Sequence, residues 1–195
     1  MVQSAPTEVP TVPVLPTETF LSTSASFTAM VIDDFETSET AWIAGIEPDF
    51  TDSSAVDLIL SGDHASRGKQ ALQLNFNKND KPKAIFFLDK PLDLSQAHFL
   101  QFDLFNPGSL GGVGIAVTTG ADKVWYESDS IPIGAGKQAS LSFDLTAAIY
   151  KTASTNWEFR ATIADLNSVS RLAIIIYPAQ SGSVFVDNIR IGIAP

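Results

Sequence analysis

The chain has 195 residues, 45% of them hydrophobic, no cysteine, a net charge of −10 and a pI of about 4.4. That is enough for one well-cored domain plus a tail, and too acidic for a nucleic-acid partner, which needs clustered Lys and Arg. Without cysteine, disulfides, thiolate zinc sites and Cys nucleophiles are excluded, and no apolar stretch approaches the ~18 residues of a membrane span.

Residues 1–29 carry Pro6, Pro10, Pro13 and Pro16 among Thr, Ser and Glu. Each proline removes a backbone donor and fixes φ, so this stretch reads as a disordered linker or leader. It lacks the basic n-region and continuous apolar h-region of a signal peptide. The folded domain is expected over 30–195.

From Met30 onward the hydrophobic period is two. Leu72, Leu74 and Phe76 alternate with Gln73 and Asn75. Leu100, Phe102 and Leu104 alternate with Gln101 and Asp103, and Leu141, Phe143 and Leu145 with Ser140, Ser142 and Asp144. Strands of this kind bury one face and wet the other. Further strands are expected near 30–35, 55–60, 83–88, 112–118, 123–127, 171–177 and 183–191. Turn signals separate them, among them Gly62-Asp63, Asn106-Pro107-Gly108 and Ser181-Gly182. Short helical turns are expected at 146–150 and 163–169. The pattern predicts an all-β fold, a two-sheet antiparallel β-sandwich of jelly-roll type.

The usual catalytic signatures are missing. Gly112-Val113-Gly114 lacks the third glycine and the following helix of a dinucleotide loop. Gly68-Lys69-Gln70 and Gly136-Lys137-Gln138 lack the Ser/Thr of a phosphate loop, and no G-x-S-x-G elbow occurs. His64 and His98 form no metal-spaced pair. Carboxylates are plentiful, but nothing singles out a glycosidase pair.

Two features stand out. Strict alternation in the last strand puts Asp187 on one face with Phe185, Ile189 and Ile191. A buried carboxylate needs a partner: an Arg, backbone amides, or Ca²⁺, which takes clustered oxygen ligands. Asp33-Asp34-Phe35-Glu36 is a second group of carboxylates, and terminal strands of a sandwich are often neighbours. The other feature is aromatic. Trp125, Tyr126, Tyr150, Trp157 and Tyr177 lie in the second half, with Asp122, Glu127, Glu158 and Arg160 close by in sequence. Exposed rings stack on the apolar faces of sugars while nearby charged groups bond the hydroxyls, although large aromatics also fill cores.

Ile32-Asp33-Asp34-Phe35-Glu36 with Trp42, then Gly68-Lys69-Gln70-Ala71-Leu72, then the stretch from Ser181 to Ile191 resemble the opening, second-strand and closing signatures of carbohydrate-binding modules of the galactose-binding-like jelly-roll type. The family resembled is the family eleven modules, which bind β-glucans. The resemblance implies a cleft on one concave sheet and a structural calcium, with Asp34, Glu36 and Asp187 as ligands. It also implies that Trp125-Tyr126 flanks the cleft, that Asp122 contacts sugar, and that Tyr177 lies one residue from a cleft tyrosine, Ile176 taking the strict position.

The reading from sequence is a non-catalytic module that binds a β-glucan-like polysaccharide. Asp122, Trp125, Tyr126, Tyr150, Trp157, Arg160 and Tyr177 are its candidate sugar contacts. It is expected to be secreted or on the cell surface, without inserting into a membrane, and tethered to a catalytic or surface domain. The alternatives are an adaptor domain of the same fold without glycan affinity, and a small glycosidase.

Overall fold

A computed structural model describes residues 27–193, except 47 and 49. The expected leader therefore lies, up to residue 26, outside the described residues. Thr28 and Ala29, placed in that leader by the sequence reading, already belong to a strand.

Among the described residues, thirteen strands form two antiparallel sheets. The first contains β1 (Thr28–Asp33), β3 (Ala55–Ser61), β4 (Ala71–Phe76), β6 (Ala97–Asn106), β10 (Lys137–Asp144) and β13 (Gly182–Ile193). Its order is β10-β6-β13-β4-β3, and β1 adds to the C-terminal half of β13. The second contains β2 (Trp42–Ala44), β5 (Ala84–Leu88), β7 (Leu110–Thr119), β8 (Val124–Ser128), β9 (Ile131–Pro132), β11 (Tyr150–Lys151) and β12 (Val169–Pro178). Its order is β11-β8-β7-β12-β5-β2, with β9 on β7. The fold is the expected all-β sandwich. The two 3₁₀ turns are Ala153–Thr155 and Leu166–Ser168. The second falls where a helical turn was expected. At 146–150 the chain instead bends into β11.

The period of two does the folding work. Leu72, Leu74, Phe76, Leu100, Phe102, Leu104, Leu141 and Phe143 of the first sheet, and Leu145 just after β10, are all buried. They meet Phe86, Leu88, Val113, Ile115, Val117, Leu172, Ile174 and Ile176 of the second in one core. Each such side chain contributes roughly 1.5–3 kcal/mol by leaving water.

β13 departs from strict alternation. Val184 and Val186 face the core, and so do Ile189 and Ile191. The register against β6 shifts between Asp187 and Arg190, and Asn188 has φ +52°. This bulge resets which residues face inward. Phe185 and Asp187 therefore lie on the outer face of the first sheet, beneath the loop joining β3 to β4. There His64 stacks on Phe105 at 3.8 Å between ring centres.

Candidate functional site

The second sheet carries an unusual outer face. Ile85, Phe87, Ala116, Ala173 and Ile175 point away from the core, yet all are buried. Phe50, Trp125 and Tyr177 pack over them. Phe50 arrives from the loop after β2, its ring 5.2 Å from that of Phe87. Ser53 in the same loop bridges to Lys83, and its hydroxyl accepts from the Ile85 amide at 3.0 Å. These bonds hold the loop against β5.

Two hollows open on this face, and Trp125 lines both. One, of about 400 Å³, is lined by Asp89, Thr118, Lys123, Trp125, Ser170 and Arg171. The register aligns Trp125 with Thr118 and Thr118 with Arg171, so these side chains form a row across three strands. Arg171 forks onto Asp89, with Nη2 2.7 Å from Oδ2. Its guanidinium lies over Phe87 at 4.1 Å and Phe50 at 5.3 Å. The fork and the stack fix a planar donor at the cleft wall.

The second hollow, of about 210 Å³, is lined by Phe50, Asp52, Lys83, Ile85, Trp125, Glu127 and Trp157. Glu127 lies at its base, 1% exposed. One carboxylate oxygen accepts from Lys83 Nζ at 2.8 Å and from the Trp125 indole N–H at 3.2 Å. The other accepts from Tyr177 Oη at 3.1 Å and lies 2.8 Å from Lys151 Nζ. Lys83 also reaches Asp52 at 3.3 Å. Burial alone would raise the Glu127 pKa. The hydrogen bonds and charges of Lys151 and Lys83 outweigh it and hold the carboxyl below its usual 4.5. Burial, then the Glu127 charge and hydrogen bond, push the Tyr177 phenol well above its ordinary value.

Trp157 stands at the rim, 54% exposed. Asn156 and Trp157 have φ of +54° and +63°, a strained conformation for residues with side chains. Hydrogen bonds impose it: the Trp157 amide donates to Thr152 O at 3.0 Å, and Thr155 Oγ1 donates to Glu158 O at 2.8 Å. The loop thus holds a large apolar ring out toward water.

Of the sugar-contact candidates, the structure brings together Trp125, Trp157 and Tyr177 through this face. Tyr177 faces it while Ile176 is buried in the core. Tyr126 and Tyr150 are corrections. Both project into the core on the opposite face, Tyr150 fully buried with its hydroxyl donating to Asp144 O at 2.8 Å. They present no ring to a ligand. Asp122 stands exposed in the turn between β7 and β8, and Arg160 pairs with Glu158 at 3.1 Å in solvent. Neither lines the two hollows.

Sequence reasoning named Glu127 only as a charged neighbour of the aromatics, and it missed Lys83, Arg171, Asp89 and Phe50. Glu127 was legible in principle: it follows Trp125 by two on one strand, so both share a face. Phe50 comes from a distant loop and carried no local signal.

The three residues expected to hold calcium do not come together as a side-chain cluster in this structure. Among the described residues, no three His, Asp or Glu side chains lie where they could hold a metal ion. Asp187 Oδ2 accepts from the Ser66 and Arg67 amides at 2.7 and 2.8 Å and from Ser66 Oγ at 2.9 Å. Its Oδ1 accepts from the Asn188 amide at 2.6 Å. Glu36 Oε1 accepts from the Lys69 and Gln70 amides at 2.7 and 2.9 Å, and Asp34 is exposed. Backbone amides, the alternative open at the sequence level, compensate the buried carboxylate.

No protein-family model matches the chain, and no curated protein matches it in sequence. Solved structures do match in fold. A family 11 carbohydrate-binding module from Clostridium thermocellum, in complex with a β-1,3-1,4-mixed-linked tetrasaccharide, superposes with a TM-score of 0.63 at 13% identity, over 87% of this chain and 98% of that one. An exo-β-agarase gives 0.61 at 18% identity, over 85% of this chain and 25% of that one. A family 28 module specific for non-crystalline cellulose gives 0.53 at 14% identity, over 79% and 89%. At these identities the likeness carries the fold, and the chain has the β-sandwich fold of carbohydrate-binding modules of families 11 and 28.

Proposed function

We propose that the domain is a non-catalytic module that binds a polysaccharide along the outer face of the second sheet. The observation that carries this reading is the pair of hollows on either side of Trp125, with Trp157 held out at the rim of one of them. Rings at such positions stack on sugar faces, while the Arg171–Asp89 pair and the hydroxyls of Thr118 and Ser170 offer donors and acceptors to sugar hydroxyls. The ligand class is a neutral polysaccharide: mixed-linkage β-glucan first, from the module of like fold, and agarose second, from the enzyme whose chain includes this fold.

The setting of Glu127 supports a non-catalytic reading. Glu127 is ion-paired to two lysines with its pKa lowered, which suits a fixed acceptor and not a general acid. Among the described residues, no helix is long and apolar enough to cross a membrane. A polysaccharide ligand puts the protein outside the cell or on its surface. The agarase match, in which this fold makes up a quarter of a longer chain, supports a tethered role beside a catalytic domain.

Calorimetric titration of the protein with mixed-linkage β-glucan and with agarose tests the reading. Saturable binding that Trp125→Ala abolishes supports it. Failure to bind either glycan, with the fold intact, favours the adaptor alternative.

A further inference from the structure

We propose that Glu127 is a positioning residue, which sets the ring of Trp125 and so the wall between the two hollows, without itself contacting the glycan. This rests on the binding reading above. An ionised carboxylate has about four acceptor sites. In this structure four donors occupy them: Lys83 and Trp125 on one oxygen, Lys151 and Tyr177 on the other. No site is left for a sugar hydroxyl, although Glu127 lines the second hollow.

The four donors come from four places in the fold. Lys83 immediately precedes β5, Trp125 is on β8, Lys151 on β11 and Tyr177 on β12. One buried group therefore cross-links the β8–β11 edge of the sheet to the strands beyond β7. Trp125 needs such a restraint. Its ring is only partly buried, and its indole N–H donates to this carboxylate at 3.2 Å. Freed from the carboxylate, the ring can leave the position where it bounds both hollows. Tyr177, donating to the other oxygen, is held over the apolar floor by the same group.

The first arm of the test needs no ligand. The indole N–H resonances of the full chain are recorded by NMR, with Trp125→Phe assigning one of them. Glu127→Gln is expected to move the Trp125 resonance clearly while that of Trp42, bonded to Asp33 Oδ2 at 3.1 Å, stays in place and reports an intact fold. An unmoved Trp125 resonance overturns the proposal whatever the glycan. The second arm is a double-mutant cycle on binding of mixed-linkage β-glucan and agarose. Glu127→Gln is expected to weaken affinity about tenfold in the wild-type background, the scale of a lost charge-assisted hydrogen bond. It is expected to have little further effect in the Trp125→Phe background, because a residue acting through another loses its effect when that partner is gone. Additive losses overturn the proposal and mean that Glu127 acts on the ligand directly. If Glu127→Gln fails to fold, Tyr177→Phe and Lys151→Met each remove one donor and keep the carboxylate. Both are expected to leave the Trp125 resonance within the wild-type envelope, and a large shift in either contradicts the role given to Glu127. Wild-type protein that binds neither glycan overturns the binding reading, while the resonance arm still decides whether Glu127 holds the ring.

Discussion

Trp125 and Tyr126 are neighbours in the chain and lie on opposite faces of one strand. Trp125 borders both hollows on the outer face, while Tyr126 is 8% exposed and packed in the core between the sheets. Truncating each to alanine is expected to separate binding from stability. Tyr126→Ala removes a large core side chain and is expected to cost about 3–5 kcal/mol. Trp125→Ala is expected to cost less stability and most of the affinity. Paired denaturant melts and glycan titrations check this.

Asp187 is the second point of test. Its carboxylate meets three backbone amides and a hydroxyl, all from protein. The melting temperature is therefore expected to be the same with and without chelator. Asp187→Ala orphans the three amides, while the Ser66 hydroxyl keeps Asp103 at 2.8 Å, and is expected to lose more than about 2 kcal/mol, since buried unpaired donors cost about 1–3 kcal/mol each. A chelator-induced fall in the wild-type melting temperature would show a metal at this end of the sandwich.

Gly68 makes a sharper local prediction. Its φ is +63°, and a Cβ there would lie 2.3 Å from Glu36 Oε1. Gly68→Ala is expected to destabilise by about 1–2 kcal/mol through the left-handed backbone alone. It must also displace the Glu36 carboxylate from the Lys69 and Gln70 amides. A shift of the urea midpoint to lower concentration checks it.

Acid should weaken the fold through Glu127. The carboxyl is held below its usual 4.5, so the unfolded chain takes up this proton more readily than the native one. Its contribution is fully present above the unfolded value and is lost as pH falls through the lower, folded value. The groups facing it are Lys83, Lys151 and Tyr177, with Asp52 beyond Lys83. Asp103 adds a drop of the same sign. Burial opposes its ionisation, and hydrogen bonds from Asn188, Ser66 and Ser140 with the Arg190 charge still hold it low. Stability is expected to be flat from about pH 7 to about pH 5 and to fall below that. Glu127→Gln is expected to make the fall shallower. An equal slope in the variant would remove Glu127 from the acid response.

Alternation made most of the sandwich readable. Leu72, Leu74 and Phe76 announce β4, and Leu100, Phe102 and Leu104 announce β6, because each strand wets one face. The strands β2, β9 and β11 have only two or three residues, too few to show a period. Parity failed in β13, where the Asn188 bulge turns Phe185 and Asp187 outward. A backbone irregularity of that kind leaves no mark in a hydrophobic pattern. The cleft was half legible. Trp125, Trp157 and Tyr177 stood out as aromatics, but so did Tyr126 and Tyr150, and only strand orientation separates platforms from core fillers. Phe50, Asp89 and Arg171 reach the site from elements far apart in the chain, so their meeting depends on the strand order of the second sheet.

The most direct test of the account is calorimetric titration of wild type, Trp125→Ala and Trp157→Ala with mixed-linkage β-glucan, with melting curves on each protein. The account predicts saturable binding by wild type, about tenfold or greater loss of affinity in both variants, as expected when a stacking ring is removed, and a Trp157→Ala melting temperature close to wild type because that ring is already in solvent. Binding that both variants retain at wild-type strength would contradict it and move the glycan site off this face.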